Sequence, residues 1–223
     1  MIQIQKKTKM EIIRRNIEIR AAEDSRLIEG VAVVFDSWSR DLGGFQEIIR
    51  STAITQELID NSDVIANINH DDSLMVARWN RGTGTLNLEL REDGLHFSYE
   101  APDTERGNQL LWDIRHKNIT ECSFAFSLPN NDTCQRWYRD ADGSLKREIT
   151  QIDGLYDVSC VNLAAYPATS VDARSENIDI EAIKRSLDEA DAEAEKAAEE
   201  ARKAEITAKL DEKLSNFYKN ISL

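Results

Sequence analysis

Apolar residues recur along this chain of 223 residues with two different periods. Over most of its length the period is short. Residues 17–20 and 27–35 carry apolar alternations around Gly30, and 64–69 is a brief apolar–polar run. In 85–90, Leu86, Leu88 and Leu90 share one face of a strand. The Asp93-Gly94 pair that follows is a hairpin signal, with 96–99 as the returning strand. Residues 122–128 alternate with aromatics and are ended by Pro129-Asn130-Asn131-Asp132. A second Asp-Gly pair, Asp142-Gly143, lies between 137–138 and 146–152, and 155–163 is a further β-rich run. Many short strands separated by turn signals predict a closed or nearly closed β barrel. Two helices interrupt it. One covers 51–60 with apolar Ile54, Leu58 and Ile59. The other covers 104–117, starts at a cap-like Thr104, and puts Leu110, Leu111 and Ile114 on one face.

Near residue 175 the period becomes helical. Ile180, Ile183, Leu187, Ala190, Ala194, Ala197, Ala201, Ala204 and Ala208 are spaced alternately three and four, an a/d heptad seam. Alanine buries little area, and at about 25 cal/mol per Å2 such a seam pairs weakly. The phase then shifts to the bulkier Leu210, Leu214, Phe217 and Ile221, which suit docking on a partner. Composition changes at the same place: every glycine, proline and tryptophan precedes residue 175. The expected organisation is a flexible segment over 1–14, a compact domain over 15–174 and a heptad-bearing helical tail over 175–223. The fold class is α+β, mainly a β barrel with flanking helices, plus a long charged C-terminal helix.

Charge narrows the function classes. The formal net charge is −13, which disfavours a general nucleic-acid binder, since phosphate needs basic surface. The basic run of Lys6, Lys7, Lys9, Arg14 and Arg15 is short and reads as a solvated tail. No stretch approaches the roughly 18 apolar residues of a membrane span, and no apolar run follows the basic N-terminus as a secretory signal requires. The three cysteines, Cys122, Cys134 and Cys160, have no CxxC spacing, so neither a disulfide framework nor a structural metal site is expected. Nothing in the motifs calls for a cofactor. The expectation is an intracellular protein with reduced thiols.

Candidate chemistry centres on the histidines, of which there are three. His96 lies in the strand after the Asp93-Gly94 turn and suits the surface or packing. His116 ends the second helix beside Arg115 and Lys117, where a cation suits the helix C-terminus. His70 ends the 64–69 strand and is followed by Asp71-Asp72, a setting that suits a general base. Ser123 stands in an otherwise apolar strand, where its hydroxyl needs a partner. It becomes a nucleophile if a base comes within hydrogen-bond reach. Cys122 is a rival, but strand neighbours point to opposite faces, so only one of the two can face a site.

The order of these segments resembles the caudovirus prohead serine protease family, distant relatives of the herpesvirus assemblins. The resemblance runs from about Ile17 to Arg174. It begins with Ile28-Glu29-Gly30-Val31-Ala32-Val33-Val34-Phe35 and Phe45-Gln46-Glu47-Ile48-Ile49. Asn67-Ile68-Asn69-His70-Asp71, Gly84-Thr85-Leu86-Asn87-Leu88, Asp93-Gly94-Leu95-His96-Phe97 and Ala101-Pro102-Asp103-Thr104 follow. Ser123-Phe124-Ala125-Phe126, Leu155-Tyr156-Asp157-Val158-Ser159 and Ala165-Tyr166-Pro167-Ala168-Thr169 are the most telling pieces. Three departures stand out: Ala77-Arg78 and Lys117-Asn118 occupy places where the family usually has glycine, and Ala125 stands where glycine is frequent.

The resemblance implies a barrel of the herpesvirus-protease type and a serine endopeptidase with His70 as base and Ser123 as nucleophile. The assemblins complete their triad with a second histidine after the serine. No histidine follows His116 here, so an acidic orienter is the natural substitute. Asp157 is the first choice, Glu148 the second and Asp71 the third. Implied partners are the major capsid protein precursor and scaffold segments, with self-cleavage and self-association through the C-terminal helix as further expectations. Neither nucleic acid nor membrane is expected as a partner. The implied location is the host cytoplasm, inside the assembling prohead. The alternative is a catalytically inactive capsid assembly or scaffold protein that keeps a protease-like domain.

Overall fold

Alternating apolar and polar residues place thirteen strands among the described residues up to Asn162. The computed structural model describes residues 10–15, 19–22, 25–131, 133–162 and 178–221. Strands β1 (Met10–Arg15), β2 (Arg20–Ala21), β3 (Leu27–Val34) and β4 (Gln46–Ile49) lead to helix α1 (Gln56–Asn61). Strands β5 (Asp63–Ile68), β6 (Ala77–Asn80), β7 (Thr83–Gly84), β8 (Leu86–Arg91) and β9 (Gly94–Glu100) precede helix α2 (Glu105–Arg115). Strands β10 (Ile119–Ser127), β11 (Gln135–Arg139), β12 (Leu145–Ile149) and β13 (Gly154–Asn162) follow, and α3 (Ile180–Ile221) ends the described chain.

The strands form three sheets, of order β1-β10-β13-β5-β6-β7, β11-β12-β4 and β2-β3-β9-β8. The single closed barrel expected from the turn signals is not seen among the described residues, although the α+β class and the long terminal helix are. Two features explain the difference. Hairpin signals report only antiparallel neighbours, whereas β13–β5 and β12–β4 are parallel pairs of distant segments. The register also breaks between Val31 and Val33 in the β3–β9 pair and between Ala125 and Phe126 in the β10–β13 pair. Such irregularities bend strands and interrupt their ladders.

The two faces of the six-stranded sheet differ in chemistry. Cys122, Phe124, Phe126, Val158, Cys160, Val64 and Ala66 project into the hydrophobic core, where Ile28, Leu95, Leu110 and Ile114 also lie. Phe124 and Phe126 stack with ring centroids 5.1 Å apart. The alternate residues Ser123, Ala125, Asp157, Ser159 and Asn67 share the other face.

Local signals set the helix ends. Thr104 caps α2, its hydroxyl accepting from the Gly107 N–H. At the other end the Asn118 N–H donates to the Asp113 carbonyl and the Lys117 N–H to the Ile114 carbonyl. This is a Schellman closure, and it holds Lys117 at φ 62°. Lys117 thus takes the left-handed conformation that glycine most often supplies at this position of a helix end. Helix α1 begins later than its sequence pattern indicates. Thr55 accepts from the Leu58 N–H and starts the helix there, while Ala53 and Ile54 are buried in the preceding turn.

The N-terminal segment expected to be flexible over 1–14 is in part a strand. Met10–Arg15 pairs antiparallel with β10, and Arg14 lies in register with Ser123. Lys6, Lys7 and Lys9 of the basic run lie outside the described residues. So do the expected boundary at 174/175 and the Ala165-Tyr166-Pro167-Ala168-Thr169 motif.

The chain divides into two compact units, Met1–Ile178 and Asp179–Leu223. In the second, Asp179 caps α3 by accepting from the Ala182 N–H at 2.8 Å. Glu205 pairs with Lys209 one turn on, the favourable direction for such a pair. At 1.5 Å per residue the 42 residues of α3 extend about 63 Å. Ile206 and Leu210 stand exposed along it. No described helix is long and apolar enough to cross a membrane.

Candidate active site

Strand pairing builds the site. Ser123 on β10 lies opposite Ser159 on β13, and Ser159 lies beside Asn67 on β5. Asp157 precedes Ser159 by two residues and so shares its face. These four side chains form a polar patch in the middle of the six-stranded sheet. Ser123, Ser159 and Asn67 are fully buried, and Asp157 nearly so.

His70 reaches this patch from a tight turn. The Asp71 N–H donates to the Ile68 carbonyl at 3.1 Å, and the two central residues, Asn69 and His70, have φ of 55° and 60°. Positive φ at both central positions is the signature of a type I′ turn. Asn and His are among the non-glycine residues that tolerate it best. The turn folds the chain back at the end of β5 and lays the imidazole over the patch.

The resulting contacts run in series. His70 Nε2 lies 2.9 Å from Ser123 Oγ. His70 Nδ1 lies 3.0 Å from Asp157 Oδ1 and 3.1 Å from Oδ2. The His70 and Asp157 side chains are only 7% and 8% exposed, so their hydrogen bond is shielded from water. A carboxylate at Nδ1 favours the tautomer with the proton there, which leaves the Nε2 lone pair facing the serine hydroxyl. A hydroxyl hydrogen-bonded to one nitrogen of an imidazole whose other nitrogen meets a carboxylate can be activated for attack on a carbonyl.

The structure therefore brings His70, Ser123 and Asp157 together and leaves the other candidates elsewhere. Glu148 lies on β12 of the three-stranded sheet, where its carboxylate accepts from Arg50 and from Arg136 at 3.0 Å. The Arg50 guanidinium, with help from Arg136, holds that carboxyl below its ordinary value. Asp71 caps the short 3-10 turn Asp72–Leu74, accepting from the Ser73 N–H and hydroxyl. His96, on β9 of the four-stranded sheet, is bound by Asp93 at 2.9 Å. His116 is the C-cap of α2, with its ring stacked on Trp112 at 4.1 Å.

Cys122 faces the core, as strand alternation requires. Burial pushes its thiol well above the ordinary value, with the neighbouring Cys160 and Asp157 adding to the shift. A thiol held protonated is a poor nucleophile, so the cysteine alternative loses its chemical basis. Among the described residues no group of three or more His, Cys, Asp or Glu side chains could hold a metal ion.

Two members of the patch escaped the sequence reading, Ser159 and Asn67. The Ser159 hydroxyl lies 2.9 Å from both His70 Nδ1 and Asp157 Oδ1, and it donates to Asn67 Oδ1. A local signal for Ser159 was present. It stands two residues after Asp157 in a β-rich run, the spacing that shares a face. Asn67 is a lone polar residue in the apolar run before His70.

No curated protein matches the chain. A solved structure of the bacteriophage T4 capsid assembly protease aligns with a TM-score of 0.47 and 11% identity, over 71% of this chain and 99% of that one. A family model described as caudovirus prohead serine protease matches residues 15–185. That span runs from the end of β1 into the first turns of α3 and takes in His70, Ser123 and Asp157. The chain belongs to the caudovirus prohead serine protease family.

Proposed function

We propose that this chain is a phage prohead maturation serine endopeptidase in which Ser123 is the nucleophile, His70 the general base and Asp157 the orienting acid. The series Ser123 Oγ–His70 Nε2 at 2.9 Å and His70 Nδ1–Asp157 Oδ1 at 3.0 Å carries the reading. His70 takes the Ser123 proton as Oγ bonds to the scissile carbonyl carbon. The C–N bond then breaks, and the imidazolium returns its proton to the leaving amine. Water, deprotonated by the same imidazole, releases the acyl group and restores Ser123. Asp157 holds the imidazole in the required tautomer and stabilises the imidazolium in between.

The substrates fitting the family are capsid-precursor and scaffold segments and the chain itself, inside the assembling shell. The protease domain is residues 15–174. The helical tail, 175–223, has a role in bringing it to the shell by weak heptad pairing with scaffold helices or with a second copy. The alanine seam of α3 and the exposure of Ile206 and Leu210 support that reading.

The deciding experiment incubates wild type and the Ser123→Ala, His70→Ala, Asp157→Asn, Glu148→Gln and Cys122→Ala variants with the cognate capsid precursor. Cleavage should survive Cys122→Ala and Glu148→Gln. It should fall by at least about 10^3-fold with Ser123→Ala or His70→Ala, and steeply with Asp157→Asn. Undiminished cleavage by Ser123→Ala would overturn Ser123 as the nucleophile, and no cleavage by wild type would return the chain to the reading of an inactive assembly protein.

A further inference from the structure

We propose that Ser159, Asn67 and Asp72 form a one-way string of hydrogen bonds that locks the tautomer of His70, with Ser159 as a positioning residue. The inference rests on the assignment of His70 as the base. It concerns three residues for which that assignment has no use.

The string starts at the surface. Asp72 follows the turn that carries His70 and is exposed. Its carboxylate only accepts, and it receives the Asn67 amide Nδ2 at 3.5 Å. That contact turns the other end of the amide, Oδ1, toward Ser159. An amide oxygen also only accepts, so the Ser159 hydroxyl can give it a hydrogen. A serine hydroxyl has one hydrogen and two lone pairs. Asp157 Oδ1, 2.9 Å from the same hydroxyl, also only accepts, so the one hydrogen goes to Asn67 or to Asp157 and in either case Ser159 presents a lone pair to His70 Nδ1 at 2.9 Å. Asp157 presents another acceptor to the same nitrogen. Every group facing Nδ1 is then an acceptor, and the imidazole can meet them only with a proton on Nδ1. The lone pair is left at Nε2, beside Ser123.

Burial gives the string its force. Asn67 and Ser159 are fully buried, where water cannot replace a mismatched partner. Register makes it possible, because Asn67 and Ser159 are direct neighbours on β5 and β13. Without Asn67 as an acceptor, the Ser159 hydroxyl would divide its hydrogen between Asp157 Oδ1 and an unprotonated Nδ1, both at 2.9 Å. The competing tautomer, with its proton on Nε2, would then gain a partner.

The test reads the tautomer directly and does not depend on cleavage. Nitrogen chemical shifts of His70 in 15N-histidine-labelled full-length chain report which ring nitrogen carries the proton. Wild type should show the Nδ1–H form alone at pH values where the ring is neutral. Ser159→Ala should add the Nε2–H form and lower kcat by about tenfold with KM unchanged, the loss expected for one hydrogen bond. Ser159→Thr, which keeps the hydroxyl, should restore both readouts. Asp72→Asn, on the surface and harmless to folding, should move the tautomer in the same direction by a smaller amount, because the Asn67 amide can then turn over. Should Ser159→Ala fold poorly, Asp72→Asn carries the same test.

A pure Nδ1–H signal in both Ser159→Ala and Asp72→Asn, with wild-type kcat, would overturn the string. Full cleavage by Ser123→Ala would instead overturn the catalytic assignment, and the tautomer measurement tells the two failures apart.

Discussion

Cys122 and Ser123 are chain neighbours on one strand, and both are fully buried. Cys122 lies in the core with Phe124, Phe126 and Cys160, where burial drives its thiol toward the neutral form. Ser123 lies among a histidine, a carboxylate and an amide, in a network of hydrogen bonds. Equal burial thus gives opposite chemistry. What differs is which face of the sheet each side chain takes, and strand geometry decides that.

The sharpest way to break this comparison is to damage each face separately. Ser123→Ala should remove cleavage and leave Tm nearly unchanged. Phe124→Ala should do the converse, destabilising by about 3–5 kcal/mol because it empties a packed aromatic site, as urea unfolding would measure. Equal loss of activity and stability in both variants would mean that the faces are not separable.

The thiols sharpen the comparison next. Cys122 and Cys160 should resist iodoacetamide at pH 8 in the folded chain and react in urea, as mass spectrometry would show. Burial raises the Cys160 thiol to about 11 and raises Cys122 as well. Because the folded values lie above the unfolded ones, this contribution to stability is complete below the ordinary thiol value. It is lost as pH rises through the alkaline range.

Glu148 offers a smaller effect of opposite sign. Arg50 and Arg136 hold its carboxyl below the ordinary value, so its contribution is present above that value and lost as pH falls. Glu148→Gln should lower Tm at pH 7, and the gap to wild type should close below about pH 4. A persistent gap at low pH would assign the effect to packing.

The smallest effect expected is a gain. Lys117 holds a left-handed φ in the turn before β10. Lys117→Gly should stabilise by about 0.5–1 kcal/mol, read as a rise in Tm, with no change in cleavage.

Much of the protease domain is legible in local pattern. The strand carrying Ser123, the hairpin after Leu90 and the cap at Thr104 all follow from alternation, turn residues and hydroxyl capping. His70 and Ser123 are each ambiguous by local chemistry alone. The order of motifs along the whole chain marks them as a pair. The three-sheet arrangement and the strand at Met10–Arg15 were not legible. Both depend on pairing between distant segments, and the N-terminal strand carries basic residues that read as a solvated tail.

By itself, then, the sequence determined which residues alternate, where the chain turns, and that any histidine base had to be one of three. Only the tertiary structure decided that Asp157, rather than Glu148 or Asp71, meets His70, and that Ser159 and Asn67 stand behind it. The reason is physical. Side-chain direction within a strand is a local property with a period of two. The register of β5 against β13 joins residues 92 positions apart, the His70–Ser123 contact spans 53, and no local pattern encodes either.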